Sequence, residues 1–66
     1  MILGRNLKKL RKSRGYSLRV LAERSGVAFS TISRIERQHQ TDAVLSTAFA
    51  LCRGLEVDFF DLVKEE

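Results

Sequence analysis

The stretch that decides the fold is LRVLAERSGVAFSTISRIE, residues 18–36. Its first half carries apolar residues at the i, i+3 and i+4 spacing that gives a helix one buried stripe: Leu18, Leu21 and Ala22. Gly26 follows, and glycine readily adopts the positive φ that ends a helix and turns the chain. Val27 then supplies an apolar side chain for the corner. The pattern predicts two short helices that cross at a tight turn.

The second of these helices is predicted over about Phe29 to Arg37. Ile32 and Ile35 share its inner face and hold it against the rest of the chain. Its other positions form a short polar and cationic surface: Phe29, Ser30, Thr31, Ser33, Arg34 and Arg37. A polar helix that is held by its back has the geometry that reads a DNA major groove.

The flanking sequence predicts three more helices and no strand. The first runs from about Leu3 to Arg14, with Leu3, Leu7 and Leu10 inward, and ends at Gly15, after which Ser17 caps the second helix. A fourth helix has Thr41 or Asp42 as its cap, and a short fifth helix has Asp58. The fourth helix is expected to bury one stripe: Leu45, Ala48, Phe49, Cys52 and Leu55. The predicted fold class is all-α.

Length and charge narrow the function. A chain of 66 residues allows one small domain. Residues 1–40 hold ten Lys and Arg against two Glu, whereas residues 41–66 hold two basic residues against six acids. A basic front and an acidic back suit a protein that faces phosphates with one side. If taken alone, the lysines of the first helix need only be a solvated surface.

Several other functions are disfavoured by the sequence. The chain has no apolar run of the length of a membrane span, and its N-terminus lacks the apolar stretch of a secretory signal. One cysteine and one histidine are too few for a structural zinc site, and no histidine is placed as a base for a serine nucleophile. We therefore expect no catalytic residue, no metal and no cofactor, with Cys52 as a small core residue in a cytoplasmic protein.

Two segments carry a family resemblance. Residues 21–27, LAERSGV, and residues 31–36, TISRIE, resemble the phage repressor and Cro (XRE-type) family of helix-turn-helix proteins. The resemblance extends over nearly the whole chain, through Leu7, Leu10, Arg11 and Gly15 upstream and Leu51, Leu55, Val57 and Leu62 downstream. It implies a compact five-helix bundle of the lambda-repressor-like type and a bacterial or phage origin.

The resemblance also implies roles for individual residues. Base contacts fall on the recognition helix: Phe29, Ser30, Thr31, Ser33 and Arg34. Phosphate contacts fall at the start of the second helix and after the third: Ser17, Leu18, Arg19, Arg37, His39, Gln40 and Thr41. Arg11 and Glu36 match positions whose side chains pair between the first and third helices, the alternative being two separate surface charges.

This sequence departs from the family pattern at several positions. Ala28 replaces the usual Ser or Thr cap, and Leu18 replaces a glutamine that binds phosphate and buttresses the recognition helix. Phe29 stands where a polar residue is common, so its ring either packs on a thymine methyl or folds back onto the domain. Gln38 and Glu56 each replace a glycine, and Glu56 is then expected to carry positive φ with some strain.

The sequence thus predicts a sequence-specific double-stranded DNA-binding transcriptional regulator, in particular a repressor. We expect a homodimer on a palindromic operator, with Phe59, Phe60 and Val63 either as the dimer surface or as part of the monomer core. Residues 1–66 form one domain, which is either a whole protein or the N-terminal part of a longer regulator. The alternative function is an antitoxin-like module that sequesters a protein partner through its apolar C-terminal helix and acidic back.

Overall fold

The computed structural model describes residues 3–37 and 45–64, and within these ranges all regular structure is helical. The described residues form five helices: α1 Leu3–Ser13, α2 Leu18–Ser25, α3 Phe29–Arg37, α4 Leu45–Leu55 and α5 Phe59–Val63. The all-α prediction is confirmed. The third helix has the predicted bounds, and the first ends one residue earlier than expected. None of the described helices is long and apolar enough to cross a membrane.

One core holds the helices together. Helix α2 packs on both α3 and α4, while α1 packs on α3 and α5. The core combines apolar side chains of all five helices: Leu7, Leu21, Ile32, Ile35, Ala48, Leu51, Cys52, Leu55 and Leu62. Each helix contributes apolar side chains to this core, because burying them is the main favourable contribution to folding.

The turn between α2 and α3 is built as the sequence predicts. Ser17 caps α2, and its hydroxyl accepts a hydrogen bond of 3.1 Å from the backbone N–H of Val20. Gly26 ends α2 at φ 76°, and its N–H donates to the carbonyl of Ala22 at 2.9 Å. The carbonyl of Ala28 accepts from the N–H groups of Thr31 and Ile32, which begins α3 without a side-chain cap. Local hydrogen bonds and the positive φ of Gly26 therefore determine the short turn that joins the two helices.

The predicted buried stripe of α4 is wrong at two positions. Leu45 and Phe49 are 56% and 47% exposed, whereas Leu51, which the stripe left out, is fully buried. Helix α4 carries apolar side chains around most of its circumference, so spacing alone does not select the face that meets α2. Gly54 shows how close that approach is, since a Cβ built there would lie 2.8 Å from the Cβ of Ser25.

Two helix ends are tied down by side chains from α1 and the turn that follows it. The amide of Asn6 donates to the carbonyls of Leu62 and Lys64 at 2.9 and 2.6 Å. The guanidinium of Arg14 donates to the carbonyl of Leu55 at 2.9 Å and to that of Glu56 at 3.2 Å. These bonds satisfy carbonyls that a helix end leaves free. Arg14 is therefore part of the fold and not only a solvated charge.

The connections around α5 also test sequence predictions. Glu56 has φ 60°, so the expected positive φ at this position is confirmed. Asp58 occupies the N-cap position of α5, but its side chain makes no capping hydrogen bond. The proposed caps of α4, Thr41 and Asp42, and the substituted position Gln38 lie outside the described residues.

Candidate nucleic-acid interface

Helix α3 is held by its back. Ile32 and Ile35 are buried in the core, while Phe29, Ser30 and Arg34 are exposed. The two remaining residues of the predicted base-contacting set, Thr31 and Ser33, are half-buried. Among the described residues no carboxylate pairs with Arg34. Its guanidinium donors are therefore available for a ligand, and a guanidinium can donate two parallel hydrogen bonds to guanine N7 and O6.

An ion pair fixes the angle of α3. Arg11 Nε lies 2.7 Å from Glu36 Oε2, and Arg11 Nη2 lies 3.0 Å from Glu36 Oε1, which is bidentate geometry. Arg11 Nη1 also donates to the carbonyl of Tyr16 at 2.8 Å. One guanidinium thus joins α1, the loop before α2 and the last turn of α3. It positions the recognition helix without facing solvent itself.

The amino end of α2 lies beside this helix. Ser17 and Arg19 are exposed, but the side chain of Leu18 packs against the core and leaves only backbone at that position for an anion. Neither α2 nor α3 has an acidic residue in its first turn. Free N–H groups and the helix dipole at such ends attract phosphate. Arg37 is exposed at the far end of α3, whereas His39, Gln40 and Thr41 lie outside the described residues.

A contact between α2 and α3 was missed at the sequence level. The Arg19 guanidinium carbon lies 5.8 Å from the centre of the Phe29 ring, which is within the range of a cation–π contact. Phe29 is 47% exposed, so the ring neither folds fully onto the domain nor projects freely. The available signal was the combination of an arginine in the first turn of α2 with an aromatic residue that opens α3.

The C-terminal apolar residues divide between core and surface. Phe59 and Val63 are half-buried and pack against the core, and the Phe59 ring lies 4.9 Å from that of Phe49. Phe60 is 69% exposed. Of the three residues predicted as a dimer surface, only Phe60 has most of its area free. The exposed rings of Phe49 and Phe60 leave apolar area on the α4–α5 side of the molecule.

Cys52 lies in this part of the core. Burial raises the pKa of its thiol, and the carboxylates of Asp58 and Asp61 raise it further. A raised pKa keeps the thiol protonated and unreactive. Among the described residues no group of three His, Cys, Asp or Glu side chains is placed to hold a metal ion.

A recognition helix fastened by two isoleucines and an ion pair, with an exposed arginine on its outer face, defines a helix-turn-helix protein. The chain belongs to the helix-turn-helix family, whose model matches residues 7–62. The resemblance to the XRE-type members that the sequence suggested is thereby confirmed.

Relatives and a solved structure agree with this assignment. The chain is 38% identical over 65 residues to the HTH-type transcriptional regulator SinR of Bacillus licheniformis, covering 98% of this chain and 59% of the relative. It is 40% identical over 57 residues to the HTH-type transcriptional regulator SutR of Escherichia coli (strain K12), covering 86% of this chain and 32% of the relative. A chain in the structure of the complex of the SinR and SinI proteins superposes with a TM-score of 0.87 at 40% identity, over 96% of this chain and 61% of that one. This chain thus spans about three fifths of the length of SinR.

Proposed function

We propose that this chain is a sequence-specific double-stranded DNA-binding transcriptional regulator, acting as a repressor, which inserts α3 into the major groove. The observation that carries the proposal is the fastening of α3 by the buried Ile32 and Ile35, which leaves Arg34 exposed on the outer face. The function requires no catalysis and no cofactor. We place it in the bacterial cytoplasm, in keeping with the bacterial regulators to which the chain is similar.

In this proposal the outer face of α3 reads bases. Arg34 donates two hydrogen bonds to a guanine, and the hydroxyl groups of Ser30, Thr31 and Ser33 bond to neighbouring base edges or phosphates. The exposed part of the Phe29 ring packs on a thymine methyl. Phosphate contacts on both sides of α3 set the register and carry no sequence information: Ser17, Leu18, Arg19, Arg37, His39, Gln40 and Thr41. Leu18 would contribute its backbone alone, because its side chain packs on the core.

We further propose that two copies bind a palindromic operator, with half-sites about 34 Å apart or a multiple of that spacing. The support is the free apolar area on α4 and α5, where Phe60 is largely exposed. Sedimentation that shows only monomers at high concentration would argue against a dimer of this chain. The dimer would then have to form on DNA or through further sequence.

Selection of bound duplexes from a random DNA library tests the proposal and gives the motif and half-site spacing together. Binding should weaken steeply as salt rises from about 50 to 200 mM, because each neutralised phosphate releases counterions. If no sequence is enriched, or if affinity does not change with salt, the proposed function is wrong.

A substitution of Arg34 tests the role of the outer face. Arg34→Ala should weaken binding to the selected duplex by about tenfold or more and relax the preference at one base pair, as expected for loss of a bidentate contact worth about 1–3 kcal/mol. Arg53→Ala is the matched control, since Arg53 is an exposed arginine on α4. Equal effects of the two substitutions would show that Arg34 contributes only charge.

The antitoxin-like alternative is not favoured by the family. SinI is named as a partner of SinR in the solved complex, and that partner is a property of SinR. A gel shift against genomic fragments separates the two functions, since a module that only sequesters protein would leave all fragments unshifted.

A further inference from the structure

Helix α2 carries two arginines that stack on aromatic rings, one at each end. Arg19 is the second residue of α2 and lies over Phe29 at 5.8 Å, while Arg24 is the last but one and lies over Tyr16 at 4.8 Å. Both side chains are exposed, and neither pairs with a carboxylate among the described residues. The two contacts are chemically alike, so their different positions in the helix are informative.

The helix dipole affects the two arginines in opposite ways. A cation in the last turn of a helix is stabilised by the free carbonyls there, whereas a cation in the first turn faces unbonded N–H groups and is repelled. Stability alone therefore explains Arg24. It does not explain Arg19, whose charge is placed where the helix prefers an anion and where no acid of the first turn compensates it.

A bound anion would account for the position of Arg19. Its partner ring opens α3, so the contact brings together the first turns of the two helices that are proposed to meet DNA. Leu18, the neighbouring residue, turns its side chain into the core and cannot link α2 to α3 by hydrogen bonds. The stacked pair supplies a link between the two helices that the leucine does not.

We propose that Phe29 is a positioning residue for Arg19: one face of the ring holds the guanidinium between the amino ends of α2 and α3, where it binds a phosphate of the DNA backbone and fixes the docking of the recognition helix. The proposal rests on the proposed function and deepens it. Part of Phe29 stays accessible to a base, since the residue is 47% exposed.

The two proposed roles of Phe29, holding Arg19 and contacting a thymine methyl, affect different properties of DNA binding. A phosphate held by Arg19 contributes to affinity for every sequence and to the salt dependence, whereas a thymine contact contributes at one base pair. The test is a double-mutant cycle with the parent, Arg19→Ala, Phe29→Leu and the double variant on the duplex enriched by selection. Phe29→Tyr keeps the ring, and Arg24→Ala removes a stacked arginine from the other end of α2.

Dissociation constants are measured by fluorescence anisotropy between about 50 and 200 mM salt, after thermal unfolding has shown that each variant is folded. Arg19→Ala should weaken binding about five- to tenfold near 0.1 M salt and lower the magnitude of the salt slope by about 0.9, the contribution of one phosphate. Phe29→Leu should weaken binding more when Arg19 is present than when it is absent, with a coupling of about two- to fivefold, as expected for an exposed cation–π contact. Arg19→Ala should weaken binding by the same factor in a Phe29→Tyr background as in the parent, because tyrosine keeps the ring, and Arg24→Ala should keep the parent slope.

Strictly additive losses in the cycle would overturn the proposal, and so would an unchanged salt slope in Arg19→Ala. A Phe29→Leu protein that changes only the preference at one base pair would show that the ring reads a base and does not hold Arg19. These results all presuppose a parent that binds a selected duplex. A parent that enriches no sequence refutes the proposed function itself, so the two failures are distinguishable.

Discussion

The Arg11–Glu36 pair provides the sharpest test of how the recognition helix is held. Glu36→Ala leaves the Arg11 side chain, which is only 11% exposed, without its bidentate partner. One donor, Nη1, keeps its bond to the carbonyl of Tyr16, while Nε and Nη2 lose theirs. The substitution therefore creates a nearly buried and mostly unsatisfied charge, which is the costly half of a broken ion pair.

The magnitude follows from burial and size. Breaking a buried pair by removing one partner costs about 3–5 kcal/mol, and we take the lower end, about 3 kcal/mol, because one bond to Arg11 remains. A domain of this length has a total stability of about 3–10 kcal/mol. At about 4–8 °C per kcal/mol, the thermal midpoint of Glu36→Ala should fall by about 12–24 °C.

Circular dichroism melts and urea titrations of the parent and three variants measure the effect. Glu23→Ala is the matched control, because Glu23 is exposed on α2 and has no ion-pair partner among the described residues. The double variant Arg11→Met/Glu36→Leu removes both charges and should recover much of the lost stability. If Glu36→Ala melts within about 2 °C of Glu23→Ala, the pair does not fasten α3 and the argument is refuted.

Three further predictions concern other contacts. Gly54→Ala should lower stability by about 1–3 kcal/mol despite the better helix propensity of alanine, because the new Cβ would meet both the side chain and the backbone of Ser25; a raised melting temperature would contradict this. Arg24→Ala should lower the thermal midpoint by about 4–8 °C, since it loses a ring contact and a favourable interaction with the helix dipole. Arg19→Ala should leave the midpoint nearly unchanged, because the loss of its ring contact is offset by the loss of an unfavourable interaction with the dipole. Equal shifts for the two variants would refute the dipole argument. Burial raises the folded-state pKa of the Cys52 thiol above its ordinary value of 9.0. The stability linked to this proton is therefore complete below about pH 9 and is lost as pH rises through the folded pKa. Across this range the melting temperature should fall more steeply with pH for the parent than for Cys52→Ala.

Local signals predicted most of the helices. The bounds of α3 follow from the isoleucine spacing, and the end of α2 follows from the positive φ of Gly26, because both depend on residues only a few positions apart. The positive φ of Glu56 was predicted differently, from the glycine that the resembling family has at this position. The first two predictions rest on the chemistry of a few neighbouring residues.

What could not be predicted depends on residues that are far apart in the chain. Nothing near Asn6 indicates that its amide binds carbonyls at the end of α5, 56 and 58 positions later. The face of α4 was misassigned because that helix is apolar on several sides, so only its packing on α2 shows that Leu45 and Phe49 are outside. A periodicity argument loses its power where polar residues are too few to mark the solvent side.

The contacts that fasten α3 and the side chains proposed to bind DNA lie on opposite faces of this helix. The Arg11–Glu36 pair and the buried isoleucines act on the back of α3 and hold its orientation. On the front, Arg34 has no partner among the described residues, and Arg19 stands at the helix end that repels it. In the free protein the ring contact of Arg19 is opposed by the helix dipole, and Arg34 has no acidic partner among the described residues; a bound anion would stabilise both charges. In the proposed function these cations contribute to DNA binding and not to the stability of the free protein, which is the expected arrangement when selection acts on binding as well as on folding.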